Sequence, residues 1–504
     1  MSEAPEKVAR TNLPVRKFSL SIPKINEEKL GFFQFGRINN EFLLTNDAGE
    51  WLFLSETDFH SLLHGHILED HPRYLELQQR GFLRENLDAE DLAFKLRRKK
   101  HFLNQGPHLH IVITTLRCNQ GCKYCHASRT SMDRVDTDMS LETAKQVVDL
   151  ALASTSPYIC FEYTGGEPTI NMDVIRFMVE YAREKNQGIN KIVEHSLVTN
   201  MTYMNEENAQ FLVDNDIWVC TSLDGPEKLH NWNRMWRKGS SAYQSVLKWM
   251  AHFNQLYIDA GKDPELYHVD ALMTTTRKSF DHWKELVDLY VSLGIRNIHI
   301  RPLNPFGFAN KTWRVIGYTM EEYLDFYEQI FDYIIELNFK GVQIMEGTAA
   351  TFLKKILTPN DPNFVDIRSP IGSGTGQLAY NYDGKIYPSD EGRMVAAMGD
   401  DYFLLGDTRS SSYTDLVSHP TVKTLAVSSL LDTLPACHSC WNAPYCGVRP
   451  MHNYMQDKEL FGQRPNTLKC PEHLRISEII FSRLQRKDPI IDRIFRRWIL
   501  DRPR

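Results

Sequence analysis

Three closely spaced cysteines, Cys118, Cys122 and Cys125, are the residues of this sequence best suited to chemistry. Their C-x3-C-x2-C spacing puts three thiols in one short segment, and thiolates are the usual ligands of iron–sulfur clusters. A [4Fe–4S] cluster bound by three thiolates has one iron without a protein ligand, so that iron can bind a substrate or cofactor. The spacing therefore predicts a reactive iron–sulfur centre. The alternatives are a zinc site with a distant fourth ligand and thiols that are simply buried.

A second set of four cysteines lies near the C-terminus, and its spacing suits a closed metal site. Four thiolates can satisfy zinc or every iron of a cluster, leaving no position open. The set consists of Cys437, Cys440, Cys446 and Cys470. Two other cysteines, Cys160 and Cys220, lie within apolar strands, where an isolated cysteine usually behaves as a small buried hydrophobe.

The composition is that of a globular protein with no bias toward nucleic acid. The chain has 504 residues, 42% hydrophobic and 24% charged, and a formal net charge of −6. An acidic balance disfavours general nucleic-acid binding. The sequence shows neither an apolar run long enough to span a membrane nor a signal peptide at its start. Clustered cysteines favour metal sites in a reducing compartment, so we expect a cytoplasmic protein.

Strands and helices alternate through the middle of the chain. Six apolar strands, each followed by an amphipathic helix, fall within residues 107–345. Such units form a parallel sheet wound with one hand, and six are too few to close an eight-stranded barrel. We therefore predict an α/β fold containing a partial (βα)6 TIM-like barrel. Each polar motif follows a strand, at the end where such barrels carry their chemistry.

Other units flank this predicted barrel. Residues 26–90 have the pattern of three short strands and two helices, a small module of winged-helix type. A charged stretch over residues 86–106 is expected to be a linker. Residues 365–475 show no regular periodicity and contain the four C-terminal cysteines. The tail, residues 476–504, is expected to form a C-terminal helix.

The first cysteine segment resembles that of the radical S-adenosylmethionine (SAM) superfamily. The likeness rests on the C-x3-C-x2-C spacing after the first barrel strand and on Tyr124 before the third cysteine. It implies that Cys118, Cys122 and Cys125 hold a [4Fe–4S] cluster whose open iron binds SAM. It also implies that one electron cleaves SAM to methionine and a 5′-deoxyadenosyl radical, which removes a substrate hydrogen atom. The cofactor carries this chemistry and the protein orients it.

Motifs at other strand ends are similar to the SAM-binding motifs of that superfamily. A Gly-Gly-Glu sequence follows the second strand; glycines permit close backbone approach, and a carboxylate suits the SAM ammonium group. A serine after the fourth strand and an arginine downstream are implied to approach the SAM carboxylate. The cofactor-binding residues expected in this way are Tyr124, Gly165, Gly166, Glu167, Thr199, Asn200, Ser222, Arg234 and Arg301. No side chain is assigned as a catalytic acid, base or nucleophile.

The C-terminal cysteines resemble the SPASM extension of radical SAM enzymes that modify peptides and proteins. The full extension has seven cysteines and two auxiliary [4Fe–4S] clusters. This sequence has Ser389 and Pro450 at two expected cysteine positions and lacks the third near Ile371. Those ligands belong to one auxiliary cluster, so a single closed auxiliary cluster is implied, with zinc as the alternative. Its ligands are the four C-terminal cysteines.

Residues 26–90 are similar in pattern to the PqqD-like modules of peptide-modifying systems. Such modules pair a peptide with an exposed strand edge beside a helix; the alternative is a packing or dimerisation module. As a whole, residues 31–475 resemble radical SAM/SPASM peptide (RiPP) maturases, and the His-Xaa-Ser system maturases in particular. This implies a ribosomally made precursor peptide or small protein as partner, a second radical SAM maturase, and a reductant such as flavodoxin or ferredoxin.

Other functions stay open on the sequence alone. An anaerobic sulfatase-maturase-like enzyme, which oxidises Cys or Ser to formylglycine, is disfavoured by the missing auxiliary ligands. A non-catalytic, metal-stabilised peptide-binding module is disfavoured by the intact cysteine segment and Gly-Gly-Glu. RNA modification is disfavoured by the acidic composition. Asp390, Glu391 and Arg393 lie beside a missing auxiliary ligand, and either face the substrate or form a solvated turn.

Overall fold

The computed structural model describes residues 25–500 except residues 237, 238, 240, 265 and 465. Its first unit is a three-stranded antiparallel sheet covered by two short helices. Ser55 caps the first helix, where its side chain accepts a hydrogen bond from the Asp58 amide. The elements are β1 (Gln34–Ile38), β2 (Glu41–Thr45), β3 (Trp51–Leu54), α1 (Glu56–Leu63) and α2 (Tyr74–Gln79). They match the three strands and two helices expected from the sequence.

The stretch expected to be a charged linker is mostly helical and forms α3 (Ala89–Lys99). The Asp88 side chain caps this helix by accepting a hydrogen bond from the Asp91 amide. Acidic residues occupy its first turn and basic residues its last turn, which complements the helix dipole. The charges that suggested a linker are therefore arranged as a helix needs them.

The middle of the chain folds as the expected open barrel. The strands of this region are β4 (Leu109–Thr115), β5 (Gln120–Cys122), β6 (Tyr158–Gly165), β7 (Ile192–Thr199), β8 (Trp218–Ser222), β9 (Arg234–Trp236), β10 (Asp270–Thr274), β11 (Asn297–Arg301) and β12 (Met345–Glu346), of which β5 and β9 pair only with each other. Its helices are α4 (Leu141–Leu152), α5 (Met172–Asn186), α6 (Glu206–Asp214), α7 (Glu227–Asn233), α8 (Ala242–Asp259), α9 (Trp283–Ser292), α10 (Phe308–Ile316), α11 (Met320–Phe339) and α12 (Gly347–Leu357).

The six predicted barrel strands pair in parallel in the order β4-β6-β7-β8-β10-β11. The short strand β12 adds to β11 and is followed by α12, so the alternation continues for one unit beyond residue 345. The α/β fold class with a partial barrel is thus confirmed. Side chains alternate along each strand. On β6, Phe161 and Tyr163 are fully buried, whereas Cys160, Glu162 and Thr164 line the barrel interior.

The C-terminal region is more regular than its sequence suggested. Its elements are β13 (Gln377–Tyr380), β14 (Lys385–Tyr387), α13 (Asp390–Ala397), β15 (Gly406–Asp407), α14 (Tyr413–Val417), α15 (Pro420–Ser428), α16 (Pro450–Asp457), α17 (Lys469–Leu484) and α18 (Pro489–Trp498). Strand β13 pairs in parallel with β4, so this region extends the barrel sheet. Strands of two to four residues are too short to give a recognisable periodicity.

The tail forms two helices rather than the single helix expected over residues 476–504. Helix α17 begins before that range and carries Cys470, and α18 starts at Pro489 after the capping residue Asp488. Proline at the first position of a helix has no amide hydrogen to donate and so marks a helix start. Residues 501–504 lie outside the described residues. None of the described helices has the length and apolar character needed to cross a membrane.

Candidate functional site

The first cysteine segment follows β4 and is held by a small two-stranded ribbon. Strand β5 pairs antiparallel with β9, which sets Cys122 opposite Arg234. The Arg234 Nη1 atom lies 3.9 Å from Cys122 Sγ. The side-chain nitrogen Nδ2 of Asn200, which follows β7, donates to Cys118 Sγ at 3.6 Å. Residues distant in sequence therefore donate hydrogen bonds to two of the three thiols.

Cys118 and Cys122 lie where an unassisted thiolate is unfavourable. Burial raises the pKa of Cys118 and raises the pKa of Cys122 to about 11. Only the thiolate ligates a metal, so binding a metal at these sulfurs must release protons. Within the described part of the chain, no three His, Cys, Asp or Glu side chains converge closely enough to hold a single metal ion. The ligation of clusters by either cysteine set thus stays a prediction.

One cavity of about 550 Å³ runs through the barrel interior and reaches the cysteine segment. It brings together nearly all of the site residues predicted for the barrel. Those that line it are Cys118, Cys122, Tyr124, Cys125, Gly165, Gly166, Thr199, Asn200, Ser222, Arg234 and Arg301. A donor set of three thiols in one wall of a large cavity suits a cluster that must also bind a ligand. Glu167 is absent from this wall.

The two glycines after β6 allow the backbone to press against the cysteine segment. The Gly166 amide donates to the Thr115 carbonyl over 2.8 Å, and the Glu167 amide donates to the Arg117 carbonyl over 2.8 Å. A Cβ atom on Gly166 would lie 2.2 Å from the Arg117 carbonyl oxygen. Gly165 has a φ of +130°, a conformation that favours glycine. The glycines therefore fix the position of the cysteine segment as well as lining the cavity.

Replacing Gly166 with alanine is expected to lower the free energy of unfolding by about 1–3 kcal/mol or more, because the new methyl group meets backbone atoms that cannot rotate away. Gly188→Ala is the matched control, since a Cβ there meets nothing within 4 Å. Anaerobic thermal unfolding of the two variants measures the difference. Equal melting temperatures would contradict the close packing.

Glu167 is engaged in hydrogen bonds within the protein, and the SAM contact expected of it stays a prediction. Its side chain is fully buried, and burial raises the pKa of the carboxyl. Oε1 accepts hydrogen bonds from the hydroxyls of Thr169 and Thr199, each at 2.6 Å, and Oε2 accepts from the Asn200 amide at 2.8 Å. Glu167 therefore braces the end of β7 against the turn after β6, and so positions Asn200 beside Cys118.

Asp224 is a central residue that the sequence analysis did not assign. Its carboxylate is fully buried after β8 and accepts from Tyr124 Oη at 2.5 Å and from Arg234 Nε at 3.2 Å. It also accepts from Asn233 Nδ2 at 3.1 Å and from the Thr274 amide at 3.2 Å. The Arg234 guanidinium also lies over the Tyr124 ring, 5.2 Å from its centroid. Arg234 is thus held by Asp224, and its approach to a SAM carboxylate stays a prediction.

The deeper wall of the cavity carries carboxyl groups. Burial raises the pKa of Glu162 to about 7, and it raises the pKa of Glu391 to about 7. Asp390 and Glu391 line the cavity, while Arg393 is buried and donates to Asp390 Oδ1 at 2.6 Å. Of the two expectations for this segment, the structure favours residues facing the cavity over a solvated turn. Cys160, expected to be structural, also lines this wall.

The four C-terminal cysteines lie near one another, and Cys446 lines a small cavity together with Lys99 of α3. Cys446 has a raised pKa, chiefly from burial, with contributions from the other three thiols. Cys446 Sγ lies 3.4 Å from His473 Nδ1, and the Asn442 amide donates to Cys440 Sγ over 3.4 Å. A closed site in this place is therefore physically reasonable, and its metal content stays a prediction.

The residues at the three positions that lack SPASM cysteines have structural roles of their own. Ser389 is fully buried and caps α13, Pro450 is the first residue of α16, and Ile371 is buried to 2% exposure. Each residue thus contributes to local folding at a position where the resemblance would otherwise supply a ligand.

The N-terminal module does not present β3 as a bare strand edge. Two arginines satisfy the carbonyls on its outer side: Arg73 Nη2 donates to the Phe53 carbonyl at 2.7 Å, and Arg80 Nη1 donates to the Trp51 carbonyl at 2.8 Å. A peptide strand that added to this edge would have to displace both guanidinium groups. Peptide pairing by the N-terminal module therefore stays a prediction, and β1 is the other edge of its sheet.

Comparison with known proteins supports the resemblance inferred for the barrel region. Residues 112–263 match the model of the Radical SAM superfamily. An uncharacterized protein from Methanocaldococcus jannaschii is 30% identical over 200 residues, which are 39% of this chain and 63% of that protein. The chain thus spans just under two thirds of this relative. A cysteine-type anaerobic sulfatase-maturating enzyme from Clostridium perfringens is 25% identical over 292 residues, which are 54% of this chain and 71% of that enzyme.

Two solved structures share the fold. Native anSMEcpe with bound AdoMet and Kp18Cys peptide has a TM-score of 0.61 at 20% identity, covering 77% of this chain and 99% of that chain. Streptococcus suis SuiB bound to the precursor peptide SuiA has a TM-score of 0.52 at 16% identity, covering 88% of this chain and 99% of that chain. At these identities, the likeness establishes the fold.

Proposed function

Because residues 112–263 form a radical SAM domain, we propose that this enzyme cleaves SAM at a [4Fe–4S] cluster and modifies a side chain of a peptide or protein. The observation that carries the proposal is the shared cavity: three thiols, the two glycines and the polar residues at several strand ends line one space of about 550 Å³. That space lies at the part of a barrel where catalytic groups are usually found.

The residues of this wall have separable tasks in the proposal. Cys118, Cys122 and Cys125 would hold the cluster, which with bound SAM supplies a 5′-deoxyadenosyl radical after one-electron reduction. Asn200 donates a hydrogen bond to Cys118, and Arg234 approaches Cys122, so both stabilise thiolate charge. Gly165, Gly166, Thr199, Ser222 and Arg301 line the space left for SAM. A substrate seated in this cavity would help to exclude water from the radical.

The experiment that tests this proposal is SAM cleavage by the anaerobically reconstituted full chain. With dithionite as the electron source, we expect 5′-deoxyadenosine and methionine in equal amounts, quantified by liquid chromatography and mass spectrometry. Omission of dithionite is the control. Protein with iron and sulfide incorporated that forms no 5′-deoxyadenosine would contradict the proposal.

A peptide or small protein is the proposed substrate class. The support comes from the relatives: one is named a sulfatase-maturating enzyme, and SuiB and anSMEcpe are each solved with a peptide bound. The finer assignment is a ribosomally made precursor, with the N-terminal module as its recognition element. A second radical SAM maturase and a His-Xaa-Ser precursor belong to this finer proposal.

The C-terminal cysteines are proposed to hold one auxiliary [4Fe–4S] cluster. The four thiols lie close enough to influence one another, and His473 is within hydrogen-bonding reach of Cys446 Sγ. With four thiolate ligands the cluster is closed, so electron relay or structural support suits it better than substrate binding. Zinc is the alternative occupant. The clustered thiols are also why we propose a cytoplasmic, reducing location.

Formylglycine formation is the second candidate function. The observation that favours it is the 25% identity to a cysteine-type sulfatase-maturating enzyme over 292 residues. A cysteine-bearing sulfatase peptide, incubated with the reduced enzyme and SAM, separates the candidates. Conversion of its cysteine to an aldehyde would favour this second function, and an unmodified peptide would favour a different peptide substrate.

A further inference from the structure

We propose that an acidic one-electron carrier protein docks on the exposed face of α3, beside the C-terminal cysteine site. The inference rests on the proposed function, because reductive cleavage of SAM needs an electron from outside the chain. It adds the location of the docking surface and the chemistry of the partner that fits it.

Helix α3 presents a face that nothing in the described structure covers. None of its eleven residues is buried. Phe94 is 53% exposed, and Arg97, Arg98 and His101 are exposed with it. Residues spaced by three, four and seven positions lie on one side of a helix, so these four side chains share one face. His101 belongs to the turn that follows α3 and continues this face. The result is a mixed aromatic and basic surface.

One exposed carboxylate, Glu90, lies one turn before Phe94 on this face, and Arg97 and Arg98 outnumber it. Arg97 makes no ion pair in the part of the chain that the structure describes, and Arg98 donates to the neutral Asn360 side chain at 2.6 Å. The nearby Asp432 is already paired with Lys100 at 2.9 Å. A basic face on a chain of net charge −6 is a local feature, and such a face attracts an acidic partner and speeds its encounter.

The opposite side of α3 rests on the C-terminal cysteine site. Lys99 Nζ donates to the Lys355 carbonyl at 2.6 Å, and Lys355 Nζ donates to the Cys446 carbonyl at 3.2 Å. Both lysines and Cys446 line one small cavity of about 50 Å³. A protein docked on the outer face of α3 is therefore separated from a cysteine of that site by the helix and two lysine contacts.

The C-terminal site also adjoins the barrel cavity. His473, 3.4 Å from Cys446 Sγ, lines a second small cavity together with His299, Arg301 and Asp366. The last three residues also line the large barrel cavity. In the proposed step the carrier loses one electron and a cluster on the C-terminal cysteines gains it, with no bond made or broken. The C-terminal cysteine site is thus flanked by α3 on one side and by the barrel cavity on the other.

The test reverses the charge of the face and compares two electron sources. The variant is Arg97→Glu with Arg98→Glu in the full reconstituted chain, and the control is Arg183→Glu with Lys185→Glu, two exposed residues of the barrel helix α5. With flavodoxin, its reductase and NADPH, we expect formation of 5′-deoxyadenosine to fall at least tenfold in the variant alone. With dithionite, both variants should match the wild type within twofold. The flavodoxin-driven rate of the wild type should also fall steeply as salt rises.

Each outcome bears on one proposal. Equal flavodoxin-driven rates in the α3 variant and the wild type would overturn the docking surface. A wild type that makes no 5′-deoxyadenosine with dithionite would instead count against the proposed function. In that case, binding of oxidised flavodoxin, measured by calorimetry, still decides the inference: weaker binding to the α3 variant supports it, and unchanged binding overturns it. If the glutamates impair folding, Arg97→Gln with Arg98→Gln serves in the same comparison.

Discussion

Replacing Cys118, Cys122 and Cys125 together with alanine is expected to remove about half of the bound iron and to abolish formation of 5′-deoxyadenosine. Two [4Fe–4S] clusters hold about eight irons, and the variant should retain about four on the C-terminal cysteines. The loss of activity should be complete, because the chemistry belongs to the cofactor and no other side chain can replace its ligands. Anaerobic iron and sulfide analysis with EPR measures the content.

Cys220→Ala is the matched control for this experiment. Cys220 is a cysteine of barrel strand β8 that does not line the large cavity, so the variant should keep its iron and its activity. A triple variant that still forms 5′-deoxyadenosine would contradict the assignment of the first cysteine segment. A wild type with about four irons and bound zinc would keep that assignment and make the C-terminal site a structural zinc site.

The parts of the site that could be predicted are those encoded by local spacing. The cysteine segment spans eight residues, and its pattern is complete in the sequence. The order of strands and helices predicted the barrel, and the position of each motif after a strand predicted which residues would meet. Gly166 and Asn200 come from different strand ends, yet both line the same cavity as Cys118.

The parts that could not be predicted depend on which buried polar groups meet. Glu167 lies in a motif that suggested a ligand contact, and the sequence does not reveal that its carboxylate also accepts hydrogen bonds from Thr169, Thr199 and Asn200. Cys160 was expected among apolar neighbours, yet strand alternation turns it into the cavity beside Glu162. A signal was present: Cys160, Glu162 and Thr164 alternate with buried aromatic residues along β6.

The flanking regions show the same limit. The charges of residues 89–99 follow the distribution that stabilises a helix, with acids first and bases last, but so many charges in one short segment also fit a linker. Strand β13 is four residues long and joins the barrel only through its pairing with β4. Arg73 and Arg80, the residues that flank helix α2, donate to the carbonyls at the edge of β3, a contact that no local spacing reveals.

Replacing Asp224 with alanine is expected to be the most destabilising single change at the site. The Asp224 side chain has no solvent exposure, and it pairs with Arg234, whose side chain is only 11% exposed. Removing one partner of a buried ion pair leaves the other charge uncompensated, at a cost of about 3–5 kcal/mol. Tyr124 would also lose its acceptor, so the cysteine segment should bind iron less completely. Anaerobic urea unfolding and iron content measure the two effects.

Two further variants distinguish the effect of breaking the buried Asp224–Arg234 pair from the effect of removing any carboxylate. Asp492→Ala removes an exposed carboxylate that pairs with Arg496 at 2.8 Å, and it should cost only about 0–1 kcal/mol. Adding Arg234→Met to Asp224→Ala removes the orphaned charge, so the double variant should be more stable than Asp224→Ala alone. A double variant as unstable as the sum of the two single variants would contradict the coupling. Such a result would mean that Asp224 acts through Tyr124 and the Thr274 amide instead, independently of Arg234.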